Sequence, residues 1–209
     1  RNWLYELSLS TQIINISKVK SIDHGKLLYS SISNWIKKNE IDNIRIFETG
    51  SARGFSSLCM AKALRDNKKK GTIITLDVLP HEEKMYWNCI SDSRGKTTRK
   101  NLLKKWEDLI NEYIIYVQSD TIKAIKRISL GRIHIAFLDA AHTYKNVLKE
   151  SIYVSKYQKT GDLIIYDDFN KNKFPGLVKA VEIFSNDFNY KLQVVKGMDN
   201  RDYVISEKA

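Results

Sequence analysis

Apolar residues recur along this chain in two rhythms. Five short β-prone runs each end in an acid: RIFE at Glu48, IITLD at Asp77, IIYVQSD at Asp120, IHIAFLD at Asp139 and LIIYDD at Asp167–Asp168. Between them the apolar spacing lengthens to that of a helix with one buried face. It predicts helices over Gly25–Lys38 (Leu28, Ile32, Trp35 and Ile36 inward), Ser56–Leu64, Thr98–Glu112, Thr121–Ile128, Ala140–Gln158 and Phe174–Phe184. Phe188–Val195 and Asp202–Ser206 read as two closing strands, near enough to pair antiparallel. Strand and helix alternate without a linker, repeat or low-complexity segment, which predicts a single α/β domain over residues 1–209. Residues 1–40 form an N-terminal arm and helix ahead of the sheet, and residues 78–100 are an insertion placed to cover a ligand. Within it Met85, Tyr86, Trp87 and Ile90 suggest a short apolar helix, and Ser91–Thr98 a loop.

The acids carry the first functional expectation. In an open parallel sheet, ligands sit outside the carboxyl ends of the strands. Acids repeated at that edge are expected to converge on one crevice; the alternative is that each caps the helix behind it. The first run continues as ETGSARGF, where Glu48, Gly50, Ser51 and Gly54 build a strand–turn–helix junction. Glycines there let a ligand approach the backbone closely. The Glu-x-Gly-x-x-x-Gly spacing lacks the third glycine of the dinucleotide fingerprint, which argues against a nicotinamide oxidoreductase. An acid ahead of the first glycine also repels a pyrophosphate and welcomes a cationic ligand. Asp77 closes the second strand roughly 20–30 residues after the loop, where a carboxylate commonly accepts from both ribose hydroxyls.

Composition narrows the field. A chain of 209 residues can bury a proper core. The formal net charge of +11 comes mostly from scattered Lys among many Ile and Asn. Without an aromatic-interleaved RNA motif or zinc spacing, nucleic acid is not the expected partner. No apolar run approaches the roughly 18–20 residues that cross a bilayer, and no secretory pattern is visible. Cys59 and Cys89 have neither metal-type spacing nor the look of a disulfide framework, so a reducing cytoplasm is the expected compartment. Cys59 should be a buried thiol, His134 a packed or surface residue and His81 a solvated one. The opening Arg1 suggests that native N-terminal residues are missing.

From Asn43 to Ser206 the chain resembles the class I S-adenosylmethionine-dependent methyltransferases. ETGSARGF is similar to their first motif, TLDV to the segment with the ribose acid, and QSD to the adenine-side turn. FLDAAHTYKNVLKE followed by GDLIIYDDF resembles a metal-dependent subgroup that includes O-methyltransferases acting on macrolide sugars. The resemblance implies a Rossmann-like three-layer sandwich whose sheet is ordered 3-2-1-4-5-7-6, with strand 7 antiparallel. It implies cofactor contacts from Glu48, Gly50, Ser51, Gly54, Asp77, Asp120 and Asp139, and a divalent cation, Mg2+, on Asp139, Asp167 and Asp168. His142 takes the place of the general base, with Asp139 beside it in the catalytic set. Many relatives carry an acid immediately before that histidine; Ala141 stands here, which leaves the proton to His142.

The residues support the same chemistry. An alcohol is a poor nucleophile at neutral pH, and a hard cation held by oxygen ligands can bind adjacent hydroxyls and acidify one. Carboxylates from two neighbouring strand ends suit such a cation, and an imidazole close by can take the released proton. The expected acceptor is a small polyhydroxylated molecule such as a sugar or glycosylated metabolite, selected by residues 78–100 and the N-terminal arm. The arm is also where a homo-oligomer would form. Two other readings stand beside this one: a hydroxylase using Asp139, His142 and Asp167 or Asp168 on iron, and a basic RNA-binding protein whose binding would fall steeply with salt.

Overall fold

The computed structural model describes residues 2–12, 22–197 and 201–209. Seven strands form one sheet in the order β3-β2-β1-β4-β5-β7-β6. β1 (Asn43–Thr49), β2 (Lys70–Asp77), β3 (Ile114–Gln118), β4 (Ile135–Leu138) and β5 (Leu163–Tyr166) are parallel, while β7 (Asp202–Lys208) runs antiparallel between β5 and β6 (Tyr190–Lys196). β4 and β5 are buried at every position, as expected of central strands covered on both faces.

The strand period of two divides the core. Ile46, Ile135 and Phe137 face α2 (Asp23–Lys38), α3 (Phe55–Asp66) and α5 (Glu107–Tyr113), with Leu28, Ile32, Leu58 and Leu109 packed against them. Phe47, Ala136 and Leu138 face α7 (Tyr144–Ser155) and α8 (Pro175–Asp187), with Val147, Val154, Val181 and Phe184. α1 (Asn2–Thr11) packs on α3, so the arm begins as a helix; the rest of it, residues 13–21, lies outside the described residues. Trp35 is core, and its indole donates to the Gly161 carbonyl at 2.8 Å. Cys59 and Cys89 are both buried free thiols. His134 is packed, its Nδ1 accepting from the Arg45 amide at 2.9 Å. Among the described residues no helix is long and apolar enough to cross a membrane.

Four helix expectations are corrected. Met85–Ile90 is not helical: Met85 and Thr97 exchange backbone bonds of 3.0 Å, and the Trp87 indole donates to the Thr97 carbonyl. Asp92 accepts from the Trp87 and Asn88 amides, a side-chain alternative to helical bonding. Thr98–Glu112 breaks into α4 (Arg99–Leu102), a 3-10 turn at Lys104–Trp106 and α5. The break at Leu103 lets both Leu103 and Trp106 enter the core. α6 is only Thr121–Ala124, and α7 starts at Tyr144, which leaves Ala140–Thr143 as a loop.

Candidate functional site

The glycine loop is held by close backbone approach. Gly50 turns at φ +87°, and a Cβ on it would lie 2.1 Å from the Asp139 carbonyl oxygen, so the loops after β1 and β4 touch directly. Its amide donates to the Leu76 carbonyl at 2.8 Å, tying in the end of β2. Gly54, at φ +86°, opens α3, where a Cβ would strike Leu103 and the Tyr116 hydroxyl. Ser51 between them is almost fully buried, and its hydroxyl has no hydrogen-bond partner among the described residues.

The strand-end acids do not all converge on one crevice, as the sequence pattern suggested. Glu48 is fully buried and accepts from the hydroxyls of Ser56 and Ser57 on α3. Burial pushes its carboxyl up, opposed by those hydroxyl bonds. Asp77 braces the loop, accepting from the Ala52 amide at 2.6 Å and the Leu79 amide at 2.9 Å. Asp120 is an exposed N-cap of α6, accepting from Lys123 at 2.9 Å. His81 is not simply solvated either, because it stacks on Tyr116 at 4.5 Å.

The last two strand ends do meet. β4 pairs with β5 through Leu138 and Tyr166, which sets Asp139 beside Asp167. Asp168 has φ +54°, the left-handed region that a non-glycine residue seldom adopts, so consecutive carboxylates serve different neighbours. Asp167, with a side chain 1% exposed, lies 3.3 Å from His24 Nδ1. Asp168 Oδ2 lies 3.4 Å and Asp139 Oδ1 3.6 Å from His142 Nε2. His142 stands in the loop ahead of α7 rather than on a first helical turn, and its ring stacks on Phe174 at 4.4 Å. Arg201 spans the pair, with Nη1 3.3 Å from Asp167 Oδ2 and Nε 3.5 Å from Asp168 Oδ1. Two donor sets result, His24–Asp139–Asp167 and Asp139–His142–Asp168, each with its ligand atoms within 4.8 Å of one another.

Crowded like charges shape the titration of this cluster. Desolvation pushes Asp139 up to about 6, opposed by the nearby His142 and reinforced by the charges of Asp167 and Asp168. The neighbouring Asp139 carboxylate, with Asp168 and Asp167 beyond it, raises His142 against partial burial. Burial raises Asp167, but the bond from His24 and the charges of His24 and Arg201 bring it below the usual carboxylate value. Burial and the Asp167 charge lift Asp168.

His24 and Arg201 were not identified from the sequence pattern. Arg201 had a usable signal, because an antiparallel last strand presents its N-terminal end at the edge where parallel strands finish. His24 had a weaker one in Gly25 beside it. A Cβ at Gly25 would come within 2.8 Å of Cys59 Sγ and Phe55 Cζ, so glycine lets the start of α2 close on α3 and bring His24 to the cluster.

Residues 47–169 match the family model described as methyltransferase domain. Among solved structures, the O-methyltransferase NovP superposes with a TM-score of 0.69 at 14% identity, covering 99% of this chain and 88% of that one. TomG from Streptomyces achromogenes, an O-methyltransferase involved in tomaymycin synthesis and solved with SAM, gives 0.63 at 15% identity, covering 100% and 91%. The Bacillus cereus O-methyltransferase in complex with SAH gives 0.62 at 14% identity, with the same coverage of 100% and 91%. At these identities the likeness is one of fold. No curated protein sequence matches the chain.

Proposed function

The chain belongs to the methyltransferase-domain family, and on that premise we propose that it transfers a methyl group from S-adenosylmethionine to a hydroxyl of a small polyhydroxylated acceptor, such as a sugar or glycosylated metabolite. The observation that carries this reading is the backbone contact between Gly50 and Asp139. It joins the glycine loop to the carboxylate–histidine cluster, so a cofactor on the loop and an acceptor at the cluster are neighbours. Family membership favours methyl transfer over the hydroxylase and RNA-binding readings, and the SAM and SAH in two structures of the same fold support the choice of cofactor.

S-adenosylmethionine supplies an electrophilic methyl carbon on a sulfonium. In this reading Gly50 and Gly54 fix the shape of the loop by packing against Asp139 and against Leu103 and Tyr116, and the Ser51 hydroxyl, buried without a partner among the described residues, bonds to the bound molecule. Asp77 accepts from the ribose hydroxyls, and Asp120 borders the adenine side. Glu48 acts from beneath, holding Ser56 and Ser57 at the start of α3.

The donors at the cluster fit a divalent cation: Asp139 stands with Asp167 in one set and with Asp168 in the other, and the repulsion among these carboxylates favours a bound positive charge. Such an ion would lower the pKa of a hydroxyl bound to it. His142, held by its stack on Phe174 with Asp139 and Asp168 nearby, accepts the hydroxyl proton, and the oxygen attacks the methyl carbon as the carbon–sulfur bond breaks and S-adenosylhomocysteine leaves. The exposed Val78, Tyr86 and Ile90 of the insertion offer apolar cover.

Methyl transfer from isotope-labelled S-adenosylmethionine to a panel of sugars and glycosides, with and without a chelator, tests this mechanism. His142→Ala should lower the rate by roughly 10²–10⁴ while leaving cofactor binding intact. Turnover that ignores the chelator would remove the cation from the mechanism, and transfer unaffected by His142→Ala would remove the base.

A further inference from the structure

We propose that His24 is a metal ligand, which gives the centre at the ends of β4 and β5 a mixed nitrogen–oxygen donor set and a preference for a borderline ion such as Mn2+ or Co2+ over Mg2+. The inference rests on the cation reading above and extends it by one ligand and a class of metal.

His24 is presented to the cluster by packing. It lies in the first turn of α2, and its ring is boxed edge-on by Phe55, Phe137 and Tyr203 at centroid distances of 5.7, 5.1 and 6.4 Å. Three aromatic walls leave the imidazole little freedom to turn away. Nδ1 stands 3.3 Å from Asp167 Oδ2, and the ring offers a nitrogen within 4.8 Å of oxygens on both Asp139 and Asp167. Neighbouring ligands on an octahedral ion with bonds of about 2.1 Å are about 3 Å apart, so this spacing matches one edge of a coordination shell without a change of rotamer. The other ring nitrogen, Nε2, is buried with no hydrogen-bond partner among the described residues, so no second bond explains the placement.

Charge then chooses the ion. Mg2+ is held by the density of negative oxygen around it. Arg201, at 3.3 and 3.5 Å, already neutralises part of the Asp167–Asp168 pair, which weakens a site built on charge alone. An imidazole adds a softer donor that Mn2+ gains from modestly, Co2+ more, and Mg2+ least. His142 faces Asp139 and Asp168 on the other side of the cluster, where the acceptor proton leaves.

The test uses the full chain stripped of metal. Co2+ should bind once per chain with a visible absorption band. His24→Gln should weaken Co2+ at least tenfold and shift the band while changing Mg2+ affinity much less, and Mn2+ should bind at least tenfold more tightly than Mg2+. His142→Gln should keep the Co2+ band. Pulsed electron paramagnetic resonance of Mn2+ on the His142→Gln chain reads nitrogen coupling with His24 untouched, which guards against a His24 variant that fails to fold. An unchanged Co2+ band and affinity in a folded His24→Gln chain, or no nitrogen coupling, would overturn the proposal and leave His24 as a counter-charge to Asp167. Failure of every ion to bind the wild-type chain would instead bring down the cation reading as a whole.

Discussion

Glu150 shows how one side chain beneath the site sets a pH dependence for the whole chain. It sits on α7, almost fully buried, with Oε2 accepting from the Thr49 hydroxyl at 2.9 Å and Oε1 without a partner among the described residues. Burial pushes its pKa from 4.5 up to about 7. The folded state therefore binds the proton more tightly than the unfolded chain, so the stability this group contributes is present at low pH and is lost as pH rises from 4.5 through 7. Glu150→Gln keeps an acceptor for Thr49 and removes the titration. Urea unfolding should find the variant gaining on the wild type between pH 5 and pH 8, by up to about 3 kcal/mol. A gap that stays constant with pH would mean that the carboxyl is hydrated or paired. Gly50→Ala makes a sharper residue-scale prediction. Its methyl would collide with the Asp139 carbonyl at a positive φ, so backbone must move, and both stability and cofactor affinity should fall. Unchanged binding in that variant would detach the loop from the cluster.

At the scale of elements, much of the fold was legible because period carries it. The acid-terminated runs are strands, and the antiparallel closing pair is present. Boundaries were less legible where side chains compete with backbone bonding, as Asp92 does at Trp87 and Asn88, or where one segment fills two places in the core, as Leu103 and Trp106 do. The orientation of Glu48 follows from the strand period of two, which sets it on the face of Ile46, under α3. That Asp139, Asp168 and His142 lie close together was legible because they follow neighbouring strand ends. His24 and Arg201 were hidden because they reach the cluster from a helix start and an antiparallel strand start, far away in sequence. The role of α2 as a carrier of the site is testable through Leu28, which is fully buried between α2 and the sheet. Leu28→Ala should cost about 2–5 kcal/mol in chemical denaturation. It should also weaken metal binding by loosening His24; a large loss of stability with metal affinity unaltered would separate α2 from the centre.

Across the whole molecule the carboxyl edge of the sheet divides into two halves that share the Gly50–Asp139 contact. The β1–β2 half carries the glycine loop braced by Asp77, and the β4–β5 half carries the carboxylates, His24, His142 and Arg201. A methyl donor on one half and a hydroxyl acceptor on the other is the arrangement that this division suits. Calorimetric titration of the full chain with S-adenosylhomocysteine, beside the Asp77→Ala variant and with NADH as the competing ligand, tests that claim most directly. The account predicts one S-adenosylhomocysteine per chain, affinity at least tenfold weaker in Asp77→Ala through loss of charge-assisted bonds worth about 1.5–3 kcal/mol each, and no NADH binding. A folded wild-type chain that takes up NADH or neither ligand, or an Asp77→Ala variant that binds S-adenosylhomocysteine as the wild type does, would contradict it.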